Sequence, residues 1–185
     1  MNFNTHFNLK GQHAFLSASK YHWINYSEDK LIETYEKYKS IERGTRLHEL
    51  AAECIRLGIK LRNNNQTLSL YVNDAIGYKM NPEQILYYSD NCFGTADAIS
   101  FKRNKLRIFD LKTGSNPASF NQLFVYAALF CLEYKIQPAD ISIDLRIYQD
   151  DQIYVNEATV DDIFPIMDKI ILFDKAISKL KNEEI

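Results

Sequence analysis

The stretch FGTADAISFKRNKLRIFDLKTG, residues 93–114, decides how the chain is read. Two runs rich in β-branched, aromatic and aliphatic residues, CFGTADAISF (92–101) and KLRIFDLKT (105–113), flank a polar link and read as a hairpin. With Arg103 and Asn104 as a two-residue turn, Asp97 lies directly opposite Asp110, and Thr95 opposite Lys112. Period two places Asp110 and Lys112 on one strand face with Leu106 and Ile108, and Asp97 on the matching face with Ile99 and Phe101. An apolar face thus ends in two carboxylates and an ammonium. Like charges opposed across a sheet destabilise it, and burial raises the cost. A divalent cation on hard oxygen ligands is the natural compensation, with Lys112 as a nearby positive group. The plain alternative is a strand-end salt bridge between Asp110 and Lys112 with Asp97 in solvent; the arrival of the second aspartate in register argues against it. Gly94 and Gly114 bracket the charges and suit a close backbone approach to a ligand, although turn-making explains Gly114 equally well.

Outward from the hairpin, the apolar spacing predicts a helix over 28–40 capped by Ser27, a second over 43–62 and a third over 67–79, where a strand is the alternative. ILYYSD (85–90) reads as a strand preceding the hairpin. After it, Pro117 opens a helix to about 134, stopped by Gln137-Pro138. Strands follow at 141–149 and 152–158, and a last helix starts at Asp161-Asp162. Helices, a strand meander, a helix, strands and a helix predict an α/β fold with a central mixed sheet flanked by helices.

The 185 residues, 46% of them hydrophobic, suit one globular domain spanning 1–185, with 1–26 an irregular, aromatic- and histidine-rich segment. Net charge is −2, so a polyanion partner must be met by a local basic patch. Cys54, Cys92 and Cys131 form no CxxC pair and read as free thiols of a reducing cytoplasm. The N-terminus lacks a signal-peptide pattern and no apolar run reaches membrane-spanning length, which predicts a soluble cytoplasmic protein with no membrane partner.

Four segments in order resemble the motifs of the PD-(D/E)xK nuclease superfamily, and within it the RecB-type exonucleases. RGTRLHELAAE (43–53) is similar to the first motif, a helix with a metal-binding histidine, here His48; FGTADAI (93–99) is similar to the second, its aspartate at Asp97. IFDLKTG (108–114) carries the third at Asp110 and Lys112, and NQLFVYAALF (121–130) resembles the QxxxY helix at Gln122 and Tyr126. FLSASKYHWINYSED (15–29) resembles the segment before the first helix in phage-associated members, many of which hold an iron–sulfur cluster on four cysteines. Three cysteines, with Tyr26 in the neighbourhood of the first ligand, exclude that cluster.

The resemblance implies a restriction-endonuclease-like fold and a metal-dependent deoxyribonuclease, an exonuclease of recombination, repair or phage DNA processing. It implies Mg²⁺ or Mn²⁺ held by His48, Asp97, Asp110 and the Leu111 carbonyl, with Lys112 orienting water and Gln122 and Tyr126 acting on the DNA strand. Taken singly, His48 could be an ordinary helix-face histidine and Tyr126 a core residue beside Leu123, Leu129 and Phe130; Glu49 or Glu53 could be an exposed charge or a ligand. Arg43, Arg46, Lys102, Arg103, Lys105 and Arg107 are candidate phosphate contacts, and His13, Lys20 and His22 among Phe15, Tyr21 and Trp23 either guide a strand near the site or pack locally. The competing function is an inactive nuclease-fold protein used as a nucleic-acid-binding or inhibitory module; a homo-oligomer is compatible with either.

Overall fold

The computed structural model describes residues 7–9, 11, 13–114 and 116–183. The chain divides into two compact units, Met1–Arg43 and Gly44–Ile185. In the first, short 3-10 turns at Phe7–Leu9 and Ala18–Asn25 precede the N-terminal half of α1 (Glu28–Leu57). Ser27 caps that helix as expected, its Oγ accepting the Lys30 N–H at 3.3 Å. The Phe15 ring packs 5.0 Å from Tyr35 and 5.4 Å from Tyr38, and Trp23 Nε1–H donates to the Ser17 carbonyl at 3.0 Å. Part of the aromatic segment therefore packs locally.

The two helices expected over 28–40 and 43–62 are one, and it ends at Leu57. Nothing between Ser40 and Arg43 caps or breaks a helix, and Gly44 is accommodated inside it. The true stop is Gly58, at φ +68°, where the N–H groups of Gly58 and Ile59 bond back to the Ile55 and Cys54 carbonyls at 3.2 and 2.9 Å. Helix α2 (Thr67–Gly77) resolves the helix-or-strand ambiguity; Asp151 Oδ1 accepts its first N–H, from Thr67, at 2.7 Å.

Five strands lie in sequence order, β1 (Asn81–Ser89), β2 (Cys92–Lys102), β3 (Lys105–Leu111), β4 (Ser142–Gln149) and β5 (Gln152–Ala158). All neighbours are antiparallel except β3 and β4, which are parallel. That crossover carries α3 (Asn121–Tyr134), and α4 (Val160–Glu183) closes the chain. The α/β expectation holds, with a five-stranded mixed sheet flanked by helices. Strand β1 begins well before residue 85 and includes Pro82, which an edge strand tolerates because one side of its backbone needs no partner. Helix α3 starts at Asn121, not at Pro117: the buried Gln149 amide donates to the carbonyls of Gly114 and Asn116 at 2.6 and 2.8 Å, holding that segment outside the helix.

The β2–β3 register is the one the turn predicts, with Lys102 opposite Lys105, Ile99 opposite Ile108 and Ala98 opposite Phe109. Arg103 and Asn104 sit at φ 52° and 56°, as a two-residue hairpin turn of this hand requires. One core lies under α3 and α4, where Ile99, Leu106, Ile108, Leu145 and Ile147 meet Leu123, Ala127 and Ile163. The other joins Ala98, Phe109, Leu111 and Tyr148 to Ala51, Cys54 and Ile55 of α1 and Tyr71, Val72 and Ala75 of α2. Burying side chains of this size contributes about 1.5–3 kcal/mol each, which fixes both layers on the sheet. The thiols of Cys54 and Cys131 pack in these two different cores, and Cys92 is half-buried. Among the described residues, no helix is long and apolar enough to cross a membrane.

Candidate active site

Strand alternation lapses at Asp97. Ala96 packs in the core under α3, whereas Ala98, two residues on, packs under α1 and α2. The expectation that Asp97 simply shares the face of Ile99 and Phe101 is thereby corrected. Ladder pairing of β2 with β3 runs to Ala98 and Phe109, and beyond it the Asp97 side chain takes over: Oδ2 accepts the Leu111 N–H at 2.9 Å. The same oxygen lies 3.4 Å from His48 Nδ1 on α1. Pairing with Asp97 outweighs burial and raises the His48 pKa above its ordinary value.

Asp110 is buried, 3% exposed, at the end of β3. Lys112 Nζ donates to its Oδ1 at 3.2 Å and lies 3.0 Å from Oδ2, but off the direction of a hydrogen bond, so Oδ2 is a buried acceptor without a donor. Burial first, then the charge of Asp97, raises the Asp110 pKa, with Lys112 and His48 pulling the other way. Lys112 Nζ also donates to Gln122 Oε1 at 2.9 Å, and Gln122 Nε2 donates to the Tyr126 hydroxyl at 3.0 Å. Asp110, Lys112, Gln122 and Tyr126 thus form one chain of contacts between the hairpin end and α3. Tyr126 satisfies both readings offered for it, since its ring packs on the core while its hydroxyl reaches Gln122. A Cβ at Gly94 would stand 2.9 Å from the Tyr126 ring, so glycine is what lets β2 approach this side chain.

Glu83 is the residue sequence reasoning missed. His48, Glu83 and Asp97 each offer a ligand atom, and the three atoms lie within 4.8 Å of one another. On β1, Pro82 pairs with Ala98 and Gln84 with Ala96, so Glu83 falls opposite Asp97. A two-residue turn at Asp90-Asn91 would have set Gln84 there instead; the register shift between Tyr87 and Ser89 moves Glu83 into place. His48, Glu49, Glu53, Arg56 and Glu83 line an open cleft of about 640 Å³. Glu53 pairs with Arg56 at 3.5 Å, and neither it nor Glu49 joins the group of close ligand atoms.

Of the basic candidates, Arg46 is exposed on α1 near His48, and Arg43, His13, Lys20 and His22 are exposed in the first unit. Lys102, Arg103, Lys105 and Arg107 lie toward the turn end of the hairpin, Lys105 about 16 Å along β3 from Asp110 at about 3.3 Å per residue. Lys105, Arg107 and Arg146 engage the buried Asp144 at 3.8, 3.5 and 3.0 Å. The hairpin basics therefore stand away from the carboxylates.

No protein-family model matches the chain, and no significant match was found among curated proteins. The case for chemistry accordingly rests on the donor set: one imidazole, several carboxylate oxygens and a buried carboxylate paired with Lys112. That set suits a hard divalent cation of the Mg²⁺ or Mn²⁺ type.

Proposed function

We propose that the protein is a metal-dependent deoxyribonuclease that hydrolyses phosphodiester bonds, working in the cytoplasm as an exonuclease of the RecB-type PD-(D/E)xK group its motifs resemble. One observation carries the reading: His48 meets Asp97, which accepts the Leu111 N–H, and on either side of Leu111 in the chain Asp110 and Lys112 continue into a contact chain with Gln122 and Tyr126. His48, Asp97, Asp110 and the Leu111 carbonyl would hold the cation. A bound Mg²⁺ or Mn²⁺ would act as a Lewis acid and offset negative charge at the phosphoryl group.

The remaining work falls to the chain itself. Asp110 fixes the Lys112 ammonium, which orients water and stabilises negative charge where the phosphate arrives. Gln122 presents its oxygen to Lys112, a donor only, and its amide N–H to Tyr126. The Tyr126 hydroxyl accepts that bond, leaving its own proton for a phosphate oxygen. Burial, opposed by the Gln122 bond and reinforced by Asp97 and Asp110, raises its pKa, so it stays a neutral donor. Arg46, exposed on α1, and Arg43 are assigned to contact the DNA backbone. Incubation with end-labelled linear and circular DNA, each with Mg²⁺, Mn²⁺ or excess chelator, tests the proposal. Cleavage of linear DNA only with metal is expected, and cutting undiminished by chelator overturns it.

A further inference from the structure

We propose that Glu83 is a further ligand of the divalent cation, so that β1 contributes to the centre alongside α1, β2 and β3. The inference rests on the metal-centre reading above and adds a residue that none of its motifs contains. Glu83 offers a carboxylate oxygen within 4.8 Å of both His48 and Asp97 ligand atoms. Ligands of one ion with bonds of about 2.1 Å can stand no more than about 4.2 Å apart, so side-chain rotation would have to draw the three atoms closer to share it.

What surrounds Glu83 gives it no other role. Among the described residues it makes no hydrogen bond or ion pair of its own; Arg56, the nearest cation acting on it besides His48, is bonded to Glu53 at 3.5 Å. It stands opposite Asp97 in the β1–β2 register, so two carboxylates face each other with His48 beside both. A second observation points to an ion from the other side of Asp97. Asp110, 3% exposed and under the influence of Asp97, Lys112 and His48, keeps Oδ2 without an aligned hydrogen bond, its charge met by Lys112 Nζ at 3.0 Å. Three carboxylates converge here, and among the described residues His48, Lys112 and, at Glu83, Arg56 offset them. Taking Glu83 as a ligand adds a negative charge to the set, which favours a doubly charged ion and strengthens the preference for hard cations.

The test measures Mn²⁺ binding by calorimetry on the full chain, without DNA, for wild type, Glu83→Gln, Asp97→Asn and Glu53→Gln. Glu83→Gln is expected to bind Mn²⁺ at least about tenfold more weakly, since even an outer-shell partner of a metal ligand is worth that much. Glu53→Gln, in the same cleft but outside the close group, is expected to bind as wild type does. Unchanged affinity in Glu83→Gln together with weakened binding in Asp97→Asn overturns the role of Glu83 and leaves the metal centre standing. Unchanged affinity in both variants overturns the metal centre and Glu83 with it. Because Glu83 sits at φ 52°, Glu83→Asn serves as the second variant: asparagine tolerates that backbone readily, removes the charge, and must show the same weakening.

Discussion

Asp110 shows what a candidate site demands of a single residue. Its carboxyl titrates above the ordinary 3.8 because it is buried and faces Asp97, and His48 titrates above 6.5 because it pairs with Asp97. For a group whose folded pKa is raised, the stability it contributes is fully present below its ordinary value and lost as pH rises through the raised one. Metal-free protein should therefore melt at progressively lower temperature as pH climbs from 6.5 through the raised His48 value, with an earlier loss at acid pH from Asp110. Asp110→Asn should raise the metal-free melting temperature at pH about 7.5 and flatten the acid limb of the profile; calorimetric melts that superimpose on wild type would place Asp110 in ordinary surroundings. Tyr126 allows a test of the same grain. Tyr126→Phe keeps the ring that packs on the core and deletes only the hydroxyl bonded to Gln122. Cleavage should fall by about tenfold or more, as expected when a positioning contact is lost, with Mn²⁺ affinity unchanged. Full activity in the variant would leave Tyr126 a core residue alone.

Between elements, close approach matters more than any single contact. Strand β2 can lie against the Tyr126 side chain of α3 because position 94 has no Cβ; an added methyl would stand 2.9 Å from the ring. Gly94→Ala must displace a half-buried aromatic ring, and overpacking of this kind costs about 1–3 kcal/mol. The ring carries the hydroxyl that meets Gln122, so cleavage should drop along with stability. Thermal melts and single-turnover rates check this together, and a variant that melts and cuts as wild type would mean the ring yields freely. The end of β3 is held in a comparable way. Lys112 N–H donates to the Tyr148 carbonyl of β4 at 2.9 Å, and the buried Gln149 amide grips the carbonyls of Gly114 and Asn116. The lysine is thus presented from a backbone fixed on both sides, although it lies one residue past the strand.

For the whole molecule, the metal-free fold holds several like charges together, and a cation that binds only the folded state stabilises it by mass action. At a free Mn²⁺ concentration 100 times the dissociation constant the gain is about 2.7 kcal/mol, a shift of several degrees in melting temperature. The same shift should be diminished in Asp97→Asn. Equal metal-induced shifts in wild type and variant would remove Asp97 from the centre.

The sequence by itself determined the α/β class and the β2–β3 register, and it singled out His48, Asp97, Asp110, Lys112, Gln122 and Tyr126 as candidates. These depend on periodicity and turn residues acting over a few positions: Arg103-Asn104 sets the hairpin, and the i, i+4 spacing sets Gln122 beside Tyr126 on α3. The continuity of α1 past Ser40 was not drawn from the sequence, although nothing between Ser40 and Arg43 breaks a helix; the apolar stripe alone does not say whether two helical runs are joined. Only the tertiary structure decided which groups meet. The register shift between Tyr87 and Ser89 brings Glu83 opposite Asp97, and the packing of α1 against the sheet brings His48 to the same carboxylate. Both depend on cores assembled from residues far apart in the chain, where local propensity carries no information about which side chains will share a site.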